Sequence, residues 1–363
     1  MQFSRHIFVG IDLGDKNSVA RIATDREKSE RFTFINSRAG RARLLQEMRK
    51  RAEQAGGAKV VMAYEASSCG YILRDEAKAA EMDCYVLAPT KMEKSVEQRK
   101  HKYDDRDAED VLDKVRAHVL AGTALPTVWV PDVETRDDRE LVRTRMELAE
   151  KQTKVKAQVQ MLLKRHGIEK PSNLRGRWSK PYRQWLEASS ESSDVHWGAR
   201  QALASLLRQL EFLESEIQAT DKLVRQLSEQ PRHRELLEEL MKEPGVGLLT
   251  AMVFRTEIGH AGRFRRSRQF GKFLGLTPTS HESGQQNDRK GHISRQGPPR
   301  CRKMLCQAGW ANIRHDEQLR RVYQRVVERN PKKKKIALVA VMRRLGIRLW
   351  HRMRNAELKM ESA

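Results

Sequence analysis

Carboxylates stand at three separated positions of the chain where a metal-dependent reaction would need them. Asp12 is near the carboxyl end of an apolar strand predicted over Ile7–Gly14. Glu65 ends a second apolar run that begins at Lys59, and a further run of acids fills residues 104–110. Burying a carboxylate is costly unless a cation compensates its charge. The three positions together predict a divalent-metal site at one edge of a sheet, whereas Asp12 alone is equally consistent with a solvated strand end.

The third run of acids opens a predicted helix. Asp104 and Asp107 are three residues apart, so they share one helix face and can hold one cation between them. The alternative is that Asp104 caps the helix and that the acids of the first turn favour its dipole. Because Asp12 and Glu65 supply the other half of a site, we favour the metal interpretation.

The elements that must carry these acids follow the order of a ribonuclease-H-like α/β sheet. Three predicted strands precede a helix over Arg38–Gln54, and a strand, a helix and another strand follow before Pro89. Apolar residues on both faces of the first strand indicate that it is buried at the centre of the sheet. We therefore expect residues 1–125 to form an α/β catalytic domain.

The chain beyond this domain is predicted to be helical. Residues 126–235 are highly charged, and apolar residues recur at heptad spacing from Leu203 to Leu227, which predicts a coiled coil. Its two arms would fold back as an antiparallel hairpin, pair with another protomer, or both. Surface helices of a globular domain are the alternative. Residues 236–363 form a third predicted region, mostly helical, with a basic tail.

The charge of the chain points to a polyanionic partner. Its net charge is +23 and its isoelectric point is about 10.1, which favours nucleic acid. A membrane surface is less consistent, because no apolar run reaches about 18 residues and the N-terminus lacks a signal-peptide pattern. The four cysteines show no CxxC spacing. We expect a cytoplasmic protein with reduced thiols.

Candidate contacts to nucleic acid lie in the C-terminal region. The turn Pro244–Gly247 stands between two predicted helices and resembles the hairpin of helix-hairpin-helix modules, whose backbone N–H groups suit a phosphate. Glycine-rich helix turns are common, so the cations that follow the turn carry much of this prediction. The candidates are Gly245, Gly247, Arg263, Arg265, Arg266, Arg268, Lys290 and Arg295.

In their order along the chain, these motifs resemble those of insertion-sequence transposases with a DEDD-type, RuvC-like catalytic domain. Within that class they resemble the RNA-guided serine recombinases that use a bridge or seek RNA. Gly10-Ile11-Asp12 is similar to the family's first acidic motif, and Tyr64-Glu65-Ala66 to the second. Lys102–Ala108 is similar to its Lys-Thr-Asp-x-x-Asp-Ala motif, with Tyr103 where Thr is usual. The segments similar to the C-terminal transposase domain are Pro244–Gly247, Gly275–Pro278, His281–Gly284 and Ile293–Gly297.

The resemblance implies roles for particular residues. The residues that would bind Mg²⁺, or Mn²⁺ in its place, are Asp12, Glu65, Asp104 and Asp107. Ser283 would be the nucleophile. Glu282 stands where a second serine is common. Because of the surplus acids Asp105, Glu109 and Asp110, the register of the third motif is defined only to within about one residue, and the equally spaced pair Asp107 and Asp110 is the fallback.

The resemblance also implies partners and a setting for the reaction. The partners would be double-stranded DNA at element ends and target, a guide non-coding RNA and further copies of the chain, as a dimer or a tetramer. The enzyme would act at the bacterial nucleoid. Strands would be cleaved, exchanged and religated through a covalent phosphoserine.

Other functions are compatible with parts of the sequence. A metal-dependent RuvC-like nuclease or Holliday-junction resolvase needs the carboxylates but no serine nucleophile. Residues 10–18 also look like the first phosphate loop of actin-like ATPases, but the second Asp-x-Gly loop of that class is not found. A non-catalytic, basic RNA-binding protein is a third alternative, which metal-dependent DNA cleavage would exclude.

Overall fold

The computed structural model of the chain describes residues 6–25, 28–92, 104–280 and 290–362; the side chains of Asp104, Ser280 and Lys290 lie outside this description. The chain divides into two compact units, residues 1–130 and 131–363. None of the helices in the described ranges has an apolar stretch long enough to cross a bilayer. All four cysteines are free thiols.

The first unit is built on a five-stranded sheet. Its elements are β1 (His6–Asp12), β2 (Asn17–Thr24), β3 (Glu30–Ile35), α1 (Arg38–Gln54), β4 (Lys59–Glu65), α2 (Ile72–Ala79), β5 (Asp83–Leu87) and α3 (Asp104–Ala121). The strand order is β3-β2-β1-β4-β5. Strands β1, β2 and β3 pair antiparallel, whereas β4 is parallel to both β1 and β5. The predicted order of elements is confirmed, and it is consistent with a ribonuclease-H-like fold.

Strand β1 is central and covered on both faces, as its apolar sequence predicts. Ile7, Val9 and Ile11 belong to one core with buried side chains of α1 and α2. Phe8 faces the other side, in a second core to which α3 contributes Val111. A strand buried on both sides has no solvent face, which explains why its residues do not alternate between apolar and polar.

In the residues that the structure describes, the second unit contains helices and two short antiparallel strands. Its elements are α4 (Val133–Arg165), α5 (Lys180–Glu191), α6 (Trp197–Ser228), α7 (Pro231–Met241), α8 (Leu248–Ile258), α9 (Ser267–Phe273), β6 (Pro278–Ser280), β7 (Lys290–Ile293), α10 (Pro299–His315), α11 (Glu317–Arg329) and α12 (Lys334–Ser362). One core unites the inner ends of α4 and α6 with α7 to α12. The division at residue 235 that we expect from the sequence stays a prediction.

The two long helices α4 and α6 form an antiparallel pair. Arg145 donates to Asp221 at 2.7 Å, and one heptad further along α4 Gln152 donates to Glu214 at 3.1 Å. Each step of seven residues forward on α4 therefore meets a step of seven backward on α6, which is the spacing of a coiled coil. The antiparallel hairpin is the predicted alternative that the structure contains. Pairing with another protomer stays a prediction.

Candidate carboxylate site and nucleic-acid-binding elements

The parallel pairing of β1 and β4 brings two of the predicted acids side by side. Ile11 pairs with Tyr64, so the next residues on the two strands, Asp12 and Glu65, are neighbours at the same edge of the sheet. Adjacent strands lie about 4.8 Å apart. This proximity depends on the strand register and on the carboxyl ends of both strands meeting at one edge.

Helix α3 adds a third carboxylate, because it crosses β1 at very short range. A Cβ atom on Gly10 would lie 2.2 Å from the carbonyl oxygen of Ala108 and 2.2 Å from the amide nitrogen of Leu112. Glycine at position 10 therefore permits backbone contact between strand and helix. The contact places Asp107 at the edge of the sheet that carries Asp12.

Asp12, Glu65 and Asp107 line one cavity of about 290 Å³. Its polar lining is completed by Asn17 and Ser67. The sequence prediction did not include these two residues; the signal that could have found them is a polar side chain shortly after an acid-bearing strand end.

The surplus acids of α3 separate according to their partners. Asp105 accepts a hydrogen bond from Arg21 and lies 3.5 Å from the Nε atom of Arg31. Glu109 accepts a 2.6 Å hydrogen bond from the Ser29 hydroxyl and lies 3.3 Å from Nε of Arg21. These two acids therefore connect α3 to β2 and β3. In the strand order, β2 and β3 lie on the opposite side of β1 from β4.

Asp110, the fallback ligand, is not among the residues that line the cavity. Partial burial raises the pKa of its carboxyl above the ordinary value; the cation of Lys114 opposes this shift and the charge of Asp107 adds to it. The side chain of Asp104 lies outside the described residues. The cavity therefore contains one residue of the third motif whose position is described, Asp107.

The donors of the cavity suit a hard divalent cation. Its three ionisable lining residues are carboxylates, without His or Cys among them, and oxygen ligands are those that Mg²⁺ prefers. Within the ranges that the structure describes, no three His, Cys, Asp or Glu side chains converge closely enough to enclose an ion by themselves. Mg²⁺ usually keeps several waters and takes only one or two protein carboxylates, so the residues present fit such an ion.

The predicted nucleophile, Ser283, lies outside the described residues, as does the rest of 281–289. The motifs on either side of it do meet. A Cβ atom on Gly275 would lie 2.2 Å from the carbonyl oxygen of Gln296, and one on Gly297 would lie 1.8 Å from that of Phe273. Both glycines also have positive φ angles, 67° and 90°. The two segments that resemble the transposase domain therefore touch backbone to backbone at the base of the β6–β7 hairpin.

The turn between α7 and α8 is anchored to the core of its unit. Gly245 has φ 73°, and a Cβ atom there would lie 2.4 Å from the Cβ of Ala311. The side chain of Asn312 donates a 2.5 Å hydrogen bond to the carbonyl of Pro244. Packing alone therefore requires glycine at 245. Gly247, which precedes the first residue of α8, has by contrast nothing within 4 Å of an added Cβ atom.

The predicted cations differ in how accessible they are. Arg263 is partly buried, and its guanidinium lies 4.5 Å from the ring centroids of both Phe264 and Phe273. Desolvation, together with the charge of Arg139, lowers the pKa of Arg263 to about 10. The cations whose side chains are exposed are Arg265, Arg266, Arg268 and Arg295. The side chain of Lys290 lies outside the described residues.

The fold and the cavity are consistent with one class of protein: enzymes with a ribonuclease-H-like sheet and clustered carboxylates at the ends of its central strands. Two family models match the chain and narrow this class. The DEDD transposase model of the IS110 type, described as "Transposase", matches residues 9–168. The "Transposase IS116/IS110/IS902 family" matches residues 237–324. The chain belongs to the IS110/IS116 family of insertion-sequence transposases, and it is a DNA transposase or recombinase by that membership.

Individual relatives agree with the family models. The protein y4qE of Sinorhizobium fredii is 28% identical over 312 residues, which cover 84% of this chain and 72% of the relative. The transposase for insertion sequence element IS1111A of Coxiella burnetii is 26% identical over 253 residues, which cover 69% of this chain and 62% of the relative. Membership of an insertion-sequence transposase family is thereby confirmed, whereas RNA guidance and the serine nucleophile stay predictions.

Proposed function

We propose that Asp12, Glu65 and Asp107, with Asp104, form the metal-dependent phosphoryl-transfer site of this transposase. The observation that carries the proposal is that three of these acids line one cavity. Mg²⁺ bound there would polarise a DNA phosphate and stabilise the charge that develops during transfer. The chain's own contribution is to hold oxygen donors at fixed positions on two strands and one helix.

Ser283 is the proposed nucleophile of strand transfer. Its Oγ forms a bond to phosphorus while the bond from phosphorus to one deoxyribose oxygen breaks, and the serine proton ends on the released hydroxyl. The ester between Ser283 and the DNA phosphate conserves the energy of the broken phosphodiester bond, so a hydroxyl of the exchanged strand can attack the phosphorus, release the serine and reseal the DNA. A serine hydroxyl is a weak nucleophile at its ordinary pKa, so it needs activation at such a site.

The test uses the full-length protein and end-labelled DNA that contains the element ends. The wild-type protein should cleave only with Mg²⁺ or Mn²⁺ and should leave a protein–DNA adduct that survives denaturation. Asp107→Asn should slow the formation of both products by about 100-fold or more. Ser283→Ala should abolish the adduct, while Ser294→Ala, a matched change at the base of the β6–β7 hairpin, should retain it. Persistent hydrolytic cleavage by Ser283→Ala would instead assign the metal-dependent nuclease.

A guide RNA and an oligomer complete the proposed function. The net charge of +23 supports a nucleic-acid partner, whether DNA or RNA, and the exposed arginines around α9 supply phosphate contacts. Protein purified from cells that carry the native flanking DNA should contain one discrete non-coding RNA from those flanks. Heterogeneous cellular RNA would refute the guided mechanism and leave an unguided, metal-dependent enzyme. Light scattering of the purified complex would give the number of protomers.

A further inference from the structure

The loop between β1 and β2, residues 13–16, forms one wall of the carboxylate cavity. Leu13 and Gly14 line the cavity together with Asp12. The loop turns tightly, because a Cβ atom on Gly14 would lie 2.3 Å from the carbonyl oxygen of Asn17. A loop that borders ligand positions must be fixed from outside the cavity if the donors are to keep their places.

Asn36, which directly follows β3, makes that connection. Its side-chain amide donates to the carbonyl of Gly14 at 2.9 Å, and its backbone N–H donates to the carbonyl of Lys16 at 2.7 Å. Asn36 therefore binds the loop at two positions, Gly14 and Lys16. Asn36 is not among the residues that line the cavity, so it acts on the loop from behind.

Asn36 is in turn oriented by Arg41, which lies in the first turn of α1. Nη1 of Arg41 donates to Oδ1 of Asn36 at 3.1 Å, which fixes the amide with its NH₂ group towards Gly14. Arg41 itself is held in a fork by Glu76 of α2, with Nε and Nη2 at 2.7 and 3.0 Å from the two carboxylate oxygens. Its side chain is only 12% exposed. Such a bidentate, partly buried pair is geometrically specific.

The start of α1 is packed so that this chain of contacts is short. Ser37 caps the helix by accepting from the Gly40 amide at 3.1 Å. A Cβ atom on Gly40 would lie 2.0 Å from the carbonyl oxygen of Ile35. Helix α1 therefore begins directly against the end of β3. This close start allows the Arg41 side chain to reach Asn36.

We infer that Asn36, Arg41 and Glu76 are positioning residues that hold the β1–β2 loop and, through it, the metal-binding geometry at Asp12. The inference rests on the proposed function, since it concerns the affinity of the same carboxylates for a cation. None of these three residues is among those that line the cavity. Their loss should weaken metal binding more than it weakens the fold.

The test measures Mn²⁺ binding to the full-length protein by electron paramagnetic resonance of the free ion. Asn36→Ala should raise the apparent dissociation constant by about 10-fold or more, the usual range for residues behind metal ligands. Asn36→Asp should do the same, because it keeps the acceptor for Arg41 and loses the donor to Gly14. Leu45 is a partly buried residue of α1 that makes none of these contacts. Leu45→Ala should lower the thermal stability about as much as Asn36→Ala does, but it should leave the dissociation constant for Mn²⁺ unchanged.

The possible outcomes separate the two proposals. The positioning role would be overturned if Asn36→Ala bound Mn²⁺ as tightly as the wild-type protein does. It would also be overturned if Leu45→Ala lost as much Mn²⁺ affinity as Asn36→Ala. Unaltered Mn²⁺ binding by Asp12→Asn would instead refute the metal site itself. If Asn36→Ala does not fold, Arg41→Lys decides by the same comparison, since lysine keeps the charge but cannot reach Glu76 and Asn36 together.

Discussion

Replacing Gly10 by alanine would test the closest contact in the catalytic unit. The added Cβ would stand 2.2 Å from backbone atoms of both Ala108 and Leu112, and 2.7 Å from the Leu112 Cα. Carbon atoms in ordinary contact are about 3.5–4.0 Å apart, so α3 would have to retreat by more than about 1 Å. Backbone atoms on both sides cannot rotate away as a side chain would.

Two effects follow from that displacement. Overpacking of this kind typically costs about 1–3 kcal/mol and occasionally more. Because the strand backbone directly contacts the helix backbone, we expect the cost of Gly10→Ala to lie at the upper end of this range. The shift would also carry Asp107 away from Asp12, and a misplacement of about 1 Å in an active site can cost about 100-fold in rate. We therefore expect a loss of about 3 kcal/mol in unfolding free energy and about 100-fold slower metal-dependent DNA cleavage.

The assays are urea unfolding and single-turnover cleavage under conditions where the variant is folded. The control is Gly198→Ala: Gly198 is exposed in α6 with nothing within 4 Å of the added Cβ. Alanine there should cost nothing and can gain up to about 1 kcal/mol, since glycine is the poorer helix former. Unchanged stability of Gly10→Ala would refute the close contact. A destabilised but fully active variant would refute the link between the position of α3 and the reaction.

Three further predictions concern separate parts of the chain. Asp107→Asn should slow cleavage by about 100-fold or more, because metal-assisted charge stabilisation is worth several kcal/mol, whereas Asp110→Asn should retain most activity; equal losses would make Asp110 a ligand. Glu214 accepts hydrogen bonds from Arg183, which lower its pKa below the ordinary 4.5, so its stabilisation is present above that pH and is lost as pH falls through the lowered value. In urea unfolding at pH 7, 4.5 and 3, the unfolding free energy of Glu214→Gln should fall less on acidification than that of the wild-type protein. An equal fall in the two proteins would contradict this. Arg268→Ala should reduce the slope of log affinity for DNA against log salt by about 0.9; an unchanged slope would remove this arginine from the DNA interface.

Local features of the fold were accessible from the sequence because they depend on neighbours along the chain. Helix Arg38–Gln54 and strand Lys59–Glu65 are predicted and observed at the same residues. Apolar residues at heptad spacing predict that α6 buries one face against a partner helix, and the antiparallel pairing with α4 is one of the arrangements that this spacing allows. Asp12 and Glu65 were recognisable as acids at the ends of apolar strands, where a charge is unexpected.

The choice among the acids of the third motif depended on contacts that no local pattern contains. Asp105, Asp107 and Glu109 are alike in the sequence, yet Arg21 of β2 engages Asp105 and Glu109 while Asp107 lines the cavity. The direction in which each points is set by the rotation of α3 about its axis. That rotation is fixed by the fit of the helix against Gly10.

The sequence by itself therefore determined the element order, the two strand-end carboxylates, the family and the basic character of the chain. Only the tertiary structure decided that β4 pairs parallel with β1 in the register that sets Glu65 beside Asp12. It also decided which acid of α3 lines the cavity with them, that Asn36 holds the loop behind them, and that the Arg263 guanidinium lies over the rings of Phe264 and Phe273. Periodicity and strand-end chemistry are encoded within a few residues, whereas these decisions arise from packing between segments far apart in the chain.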